Sequence, residues 1–316
     1  MLKKIKKAAR EYFDLLNMNP DTIIIGRKNY TGEEPERKRV WINILLFAAT
    51  LVTTTLSGIE SGGSAGSVFL SGLPFSLTLI AILLSHEMGH YFAARHFGVK
   101  ASLPYFIPFP SFLLGFGGIG TMGAVIKIKS PICKRKDLLY IGAMGPIAGF
   151  IVSLIASIAG IYLSDVKPIP PPSADGMNIF FGDSILTSII TTAIHGRIPA
   201  GFDIYLSPYA WAGWIGFLIT SLNLMPIGQL DGSRVVYALL GRKQLLFGWA
   251  AFAGLIVLSF IWIGWVVWVV LSLVLLKIGH PPVYDTDGLS TGEKAIAWIC
   301  IIIFLLTFMP LPVDFR

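Results

Sequence analysis

Long apolar runs broken by short polar stretches recur along the chain. Those that read as membrane-crossing helices are Trp41 to Ile59, Pro74 to Phe97, Leu138 to Leu163, Ser207 to Pro226, Leu245 to Lys277 and Ala295 to Met309. The criterion is that about 20 mostly apolar residues cover about 30 Å of hydrocarbon. The Leu245 to Lys277 run is too long for one ordinary span. Gly264 near its middle predicts a tight pair of short helices, split near Ser259 to Gly264. Met177 to Ile194 is also apolar, but Asp183 and several Ser and Thr residues predict a helix lying at the outer interface. The stretch Phe116 to Ser130 departs from the helical pattern: it is Gly-rich, then alternates apolar and basic from Val125 to Lys129, the period of a strand. These patterns predict an all-α polytopic membrane protein of about six to seven transmembrane helices, with a small β-hairpin or re-entrant element. Its expected organisation is a basic amino-terminal segment (1–40), a transmembrane core (41–240) and carboxy-terminal transmembrane helices (241–316).

Composition removes the soluble classes. The 316 residues are 54% hydrophobic and 14% charged, with a mean hydropathy of +0.71. An ordinary soluble domain carries about 25% charged residues, so a water-soluble enzyme of this length could not cover its own surface. Cys133 and Cys300 are too few for a disulfide scaffold or a thiolate metal site.

The net charge of +7 reads as topology, because ten of the 25 Lys and Arg precede Val40 and others flank apolar runs. They form no nucleic-acid motif. By the positive-inside rule, Met1 to Arg39 is cytoplasmic. Gly98 to Asp137, with Lys100, Lys127, Lys129, Lys134, Arg135 and Lys136, returns to that side, and so do Arg234, Arg242 and Lys243. Ser164 to Leu206, richer in Asp and stiffened by Pro168 to Pro172, falls outside. The first 17 residues, with Lys3, Lys4, Lys6, Lys7 and Arg10, read as a surface-lying basic anchor. Acids as early as Glu11 and Asp14 are unlike a transit peptide, so a prokaryotic cell membrane with a cytoplasmic amino terminus is expected.

Glu87 and Asp231 are the acids that fall within apolar segments or at their immediate ends rather than in loops. A charge at mid-membrane costs about 2.5 to 3.5 kcal/mol on translocon scales, so each marks a candidate function. Around the first, His86-Glu87-Met88-Gly89-His90 is an H-E-x-x-H sequence inside an uninterrupted apolar helix. With five histidines in the chain, chance would produce it with a probability of about 0.2%. Residues i and i+4 share a helix face, so His86 and His90 can bind one metal ion together. Glu87 is turned by about 100° and can reach a metal-bound water as a general base. Catalytic zinc usually has three protein ligands. Asp231 is the candidate third, in a stretch where Pro226 and Gly228 break the helix and let it turn inward. Taken alone, Asp231 would also suit an N-cap of a helix over Gly232 to Leu240. His96 reads as interfacial, and His195 and His280 as loop residues.

On these residues the sequence resembles the site-2 protease group of intramembrane zinc metalloproteases. The resemblance rests on His86-Glu87-Met88-Gly89-His90, on Asn223-x-x-Pro226 followed by Leu230-Asp231-Gly232, and on Gly142 to Gly149 between them, and it covers roughly Leu70 to Leu240. It implies that His86, His90 and Asp231 bind Zn2+, that Glu87 is the base, and that Asn223 and Pro226 help position substrate. The implied substrates are transmembrane proteins or peptides in the lipid bilayer, with no nucleic-acid partner. No insert resembles the PDZ or CBS modules that some branches carry.

Two further readings stand beside this one, a membrane metal-ion transporter and a catalytically dead relative serving as a scaffold. The same His and Asp cluster could serve a membrane metal-ion transporter as a permeation site, although the polarity is confined to one depth and no internal repeat is evident. Gly145-Pro-Ile-Ala-Gly149 is a G-x-x-x-G that predicts close packing, with the helix bearing the histidines as its neighbour. The strand near Val125 would dip toward the site and offer an edge to an extended substrate.

Overall fold

The computed structural model describes residues 40–58, 69–110, 118–170, 179–278, 283 and 288–315. The basic amino-terminal anchor, the start of the Gly-rich run, the last two residues of the proline tract and His280 lie outside the described residues. Helices dominate, as the apolar runs require, because a helix satisfies its own backbone polar groups where lipid offers none. They are α1 (Val40–Ser57), α2 (Leu73–His96), α3 (Arg135–Tyr162), α4 (Ile185–His195), α5 (Pro208–Asn223), α6 (Asp231–Leu240), α7 (Gln244–Ser259), α8 (Trp265–Ile278) and α9 (Thr291–Thr307). Among the described residues, the helices over Val40–Ser57, Phe69–His96 and Arg135–Tyr162 are long and apolar enough to cross a membrane.

Local signals explain the ends of the helices near the site. Proline sits in the first turn of α2, where its missing N–H costs nothing, and Arg95 and His96 close the helix at its negative end. Ser207 caps α5 through its side chain, again with proline in the first turn. The long apolar run after Leu245 does divide: α7 ends at Ser259 and α8 starts at Trp265. Leu255 of α7 and Trp265 of α8 are buried in one cluster with Ile227.

The central helix is α3, which packs most extensively against α2 and α5. Small residues make this possible where the solvent supplies no hydrophobic drive. Gly213 and Gly216 of α5 lie against Ser157 and Ser153 of α3, Gly160 of α3 meets Ala210 of α5, and Gly89 of α2 meets the Met144 backbone. A Cβ at any of these glycines would collide with the facing helix. Phe75, Leu79 and Leu83 of α2 pack with Trp214, Ile215 and Phe217 of α5 in the largest core cluster.

Among the described residues, three antiparallel two-stranded sheets complete the fold. Between α2 and α3, β1 (Tyr105–Pro108) pairs with β2 (Thr121–Val125). Beyond the far end of α3, β3 (Asp165–Pro168) pairs with β5 (Phe202–Tyr205), and β4 (Ile179–Phe181) pairs with β6 (Val313–Phe315).

The structure corrects the sequence reading in three places. The strand lies at Thr121–Val125 rather than Val125 to Lys129, and beyond it only Ile128 forms an isolated bridge, to Ala101. Part of the Gly-rich run sits in the ladder because Gly123, at φ +95°, accommodates the irregularity in register between the Phe106 and Pro108 pairs. Among its described residues, the region from Ser164 to Leu206 holds three strands as well as α4, each made by pairing with a distant segment. Last, α6 begins at Asp231 itself, and Leu230, in extended conformation, takes the N-cap position.

Candidate metal centre

The paired histidines of α2 are both buried, with their Nε2 atoms 3.1 Å apart. Asp231, the first residue of α6, places Oδ2 at 3.4 Å from His86 Nε2 and at 3.1 Å from His90 Nε2. A four-coordinate zinc with bonds of about 2.0 to 2.1 Å has ligand-to-ligand edges of about 3.3 Å, so the three atoms stand at the separations such an ion requires. Their chemistry agrees. The Nδ1–H of His90 donates to the Ile141 carbonyl, which leaves Nε2 with its lone pair. Nε2 faces the Asp231 carboxylate oxygen, where its lone pair can be given to a cation held between them. His86, His90 and Asp231 could therefore hold a metal ion.

The backbone that delivers Asp231 is irregular and internally satisfied. After Asn223 ends α5, the chain turns through Pro226 and through Gly228 at φ +56°. Gln244 Nε2 donates to the Pro226 carbonyl at 2.9 Å, and Ser233 Oγ donates to the Gly228 carbonyl at 2.6 Å. Polar backbone at this depth needs such partners. Because Leu230 occupies the cap position, the Asp231 carboxylate turns to the histidines.

Glu87 is buried beside the pair without joining it. Ile126 lines the same cavity as Glu87. A cavity of about 160 Å³ opens here, lined by His86, Glu87, His90, Asn223 and Asp231, by Ala124 to Ile126 of the β2 segment, and by Gln229, Leu230 and Arg234. Asn223 Nδ2 lies 3.3 Å from His86 Nε2. Pro226 does not line the cavity and acts on the course of the backbone instead. His96 is exposed at the end of α2, and His195 Nε2 meets the Ile161 carbonyl at 2.8 Å, far from the cluster in the chain and bound elsewhere.

Three glycines of α3 form the bed of the site. A Cβ at Gly145 would overlap the His90 ring. One at Gly149 would come within 3.1 Å of His86 Cβ, and one at Gly142 within 2.9 Å of Arg234 Cβ. The model for peptidase family M50 matches residues 74–263, which take in both histidines, Glu87, the glycine bed and Asp231.

The chain belongs to peptidase family M50, the site-2 protease family.

Curated relatives point the same way. The protein called probable zinc metalloprotease EGY2, chloroplastic, of Arabidopsis thaliana is 30% identical over 250 residues, covering 77% of this chain and 42% of that protein. EGY1 of the same plant is 30% identical over 246 residues, covering 76% of this chain and 43% of its own length, and EGY1 of Oryza sativa subsp. japonica is 31% identical over 252 residues, covering 76% and 41%. The chain thus spans less than half the length of these relatives. No solved structure matches it significantly. For an M50 member the implied cofactor is zinc, and the donor set above fits it.

Arg234 read as a topology charge, yet its Nη1 lies 3.2 Å from Asp231 Oδ1. Its spacing three residues after Asp231 was the available signal. Gly142, Gly145 and Gly149 were expected to pack against the helix bearing the histidines, and Gly145 and Gly149 do so, against His90 and His86.

Proposed function

We propose that this chain is an intramembrane zinc metalloprotease that hydrolyses peptide bonds within or near transmembrane segments of membrane-protein substrates, as in regulated intramembrane proteolysis. The observation that carries the reading is the meeting of His86, His90 and Asp231, from two distant segments, beside a buried carboxylate in one cavity. His86, His90 and Asp231 would hold the ion. Zinc bound there would supply a Lewis acid for the scissile carbonyl and bring a water's pKa toward about 7. Glu87 takes the proton of the attacking water and returns it to the leaving amine. The Asn223 amide, at the cavity wall, is placed to hold a substrate carbonyl, and Pro226 shapes the loop behind it.

A transmembrane helix hides its peptide bonds in its own hydrogen bonds, so its backbone must be extended before cleavage. The second edge of β2 pairs with no strand among the described residues. Val125 and Ile126 border the cavity, so a substrate segment added along that edge would enter beside Glu87.

In this reading α1, α2, α3, α5, the α7–α8 pair and α9 make up six to seven spans. Residues 41–240 form the catalytic core and 241–316 the carboxy-terminal helices. The basic flanks support an orientation with the amino terminus and the site's nearer face on the cytoplasmic side, and the membrane in this reading is that of a prokaryotic cell. The metal-ion transporter is not favoured, given relatives named as metalloproteases. The deciding experiment sets zinc-dependent cleavage of a single-span reporter in detergent beside zinc flux in proteoliposomes. Cleavage abolished by Glu87→Gln supports the protease; flux without cleavage overturns it.

A further inference from the structure

The two oxygens of the Asp231 carboxylate have separate partners. Oδ2 faces both imidazoles, at 3.4 and 3.1 Å, while Oδ1 faces Arg234 Nη1 at 3.2 Å. An unrestrained carboxylate can swing to give a metal one oxygen or both. Here the second oxygen is tied back by a charged donor from the same helix, one turn on. The Arg234 side chain is itself largely enclosed, 23% exposed, and lines the same cavity. Its Cβ lies so close to Gly142 of α3 that any larger residue there would displace it. Arg234 is therefore held from behind by α3 while its guanidinium engages Asp231.

We propose that Arg234 is a positioning residue that restricts Asp231 to one-oxygen ligation, keeping the metal four-coordinate with one position free for water or substrate. Partners that fix a metal ligand's orientation commonly change metal affinity about 10- to 100-fold when removed. Loss of Arg234 frees Oδ1 to join the ion as a fifth ligand beside the position that water or substrate takes, so the site is no longer four-coordinate. The proposal rests on the reading of His86, His90 and Asp231 as metal ligands.

The test uses the full chain in detergent, loaded with Co2+ in place of zinc, as wild type, Arg234→Gln and Arg234→Lys. Tetrahedral Co2+ absorbs strongly in the visible and five-coordinate Co2+ weakly, so the spectrum reports the mode of ligation directly. For the wild type an intense tetrahedral spectrum is expected. Arg234→Gln should show a weakened, five-coordinate-like spectrum and an apparent zinc affinity changed by about tenfold or more in chelator competition. Arg234→Lys, which keeps the charge but loses the fork, should fall between the two. The thermal midpoint of the metal-free forms separates ligation from folding. A Co2+ spectrum and zinc affinity identical to wild type in either variant overturns the proposal, even if activity falls. A wild type that binds no Co2+ overturns instead the metal-site reading beneath it.

Discussion

Gly145 of α3 and His90 of α2 are in such close contact that no side chain fits between them; the ring occupies the space where a Cβ would stand. The same ring is held from its other nitrogen by the Ile141 carbonyl, one turn earlier on α3. The position of one metal-facing nitrogen thus depends on the absence of a methyl group on a neighbouring helix.

Gly145→Ala is expected to push the His90 ring off its position. Forcing a methyl into a packed site costs about 1 to 3 kcal/mol. The measurement is zinc content per protein after gel filtration in detergent, beside the thermal midpoint. Content should fall well below that of the wild type, and full zinc loading would show that the ring has room to yield.

The residues around the ion should separate by role. Glu87→Gln should keep zinc and lower cleavage by about 10²- to 10⁴-fold, the usual contribution of a positioned general base. His86→Ala, His90→Ala and Asp231→Ala should lose zinc and cleavage together. Metal analysis and a single-span reporter assay on the same preparations decide the matter. Wild-type turnover in Glu87→Gln would remove it from its role as base.

Val125→Pro takes a backbone donor out of β2 at the cavity's edge while leaving every metal-facing atom in place. Cleavage of a helical reporter should drop and zinc content should hold. Unchanged turnover would dismiss strand addition as the way substrate enters.

Stripping the ion with a chelator should abolish cleavage reversibly and also destabilise the fold, since a ligand at 100 times its Kd contributes about 2.7 kcal/mol to the state that binds it. Unfolding followed by Trp fluorescence with and without added zinc tests this. An identical midpoint in both conditions would place the ion somewhere other than between α2 and α6.

The helices were legible in the chain because lipid forces each spanning segment to bond to itself: an apolar run long enough to cross needs no distant partner to declare itself, and α2 and α3 fall close to where Pro74 and Leu138 announced them. The pairing of His86 with His90 was legible for the same reason, since a helix carries residues four apart onto one face. The short strands were not, because β4 and β6 are three residues each and exist only through each other, across most of the carboxy-terminal half. Nor could spacing alone decide that Asp231 turns to the histidines rather than capping α6, that Arg234 holds its second oxygen, or that Gly145 leaves room for a ring. Those outcomes belong to the tertiary structure, because each depends on how closely α3 lets α2 and α6 approach.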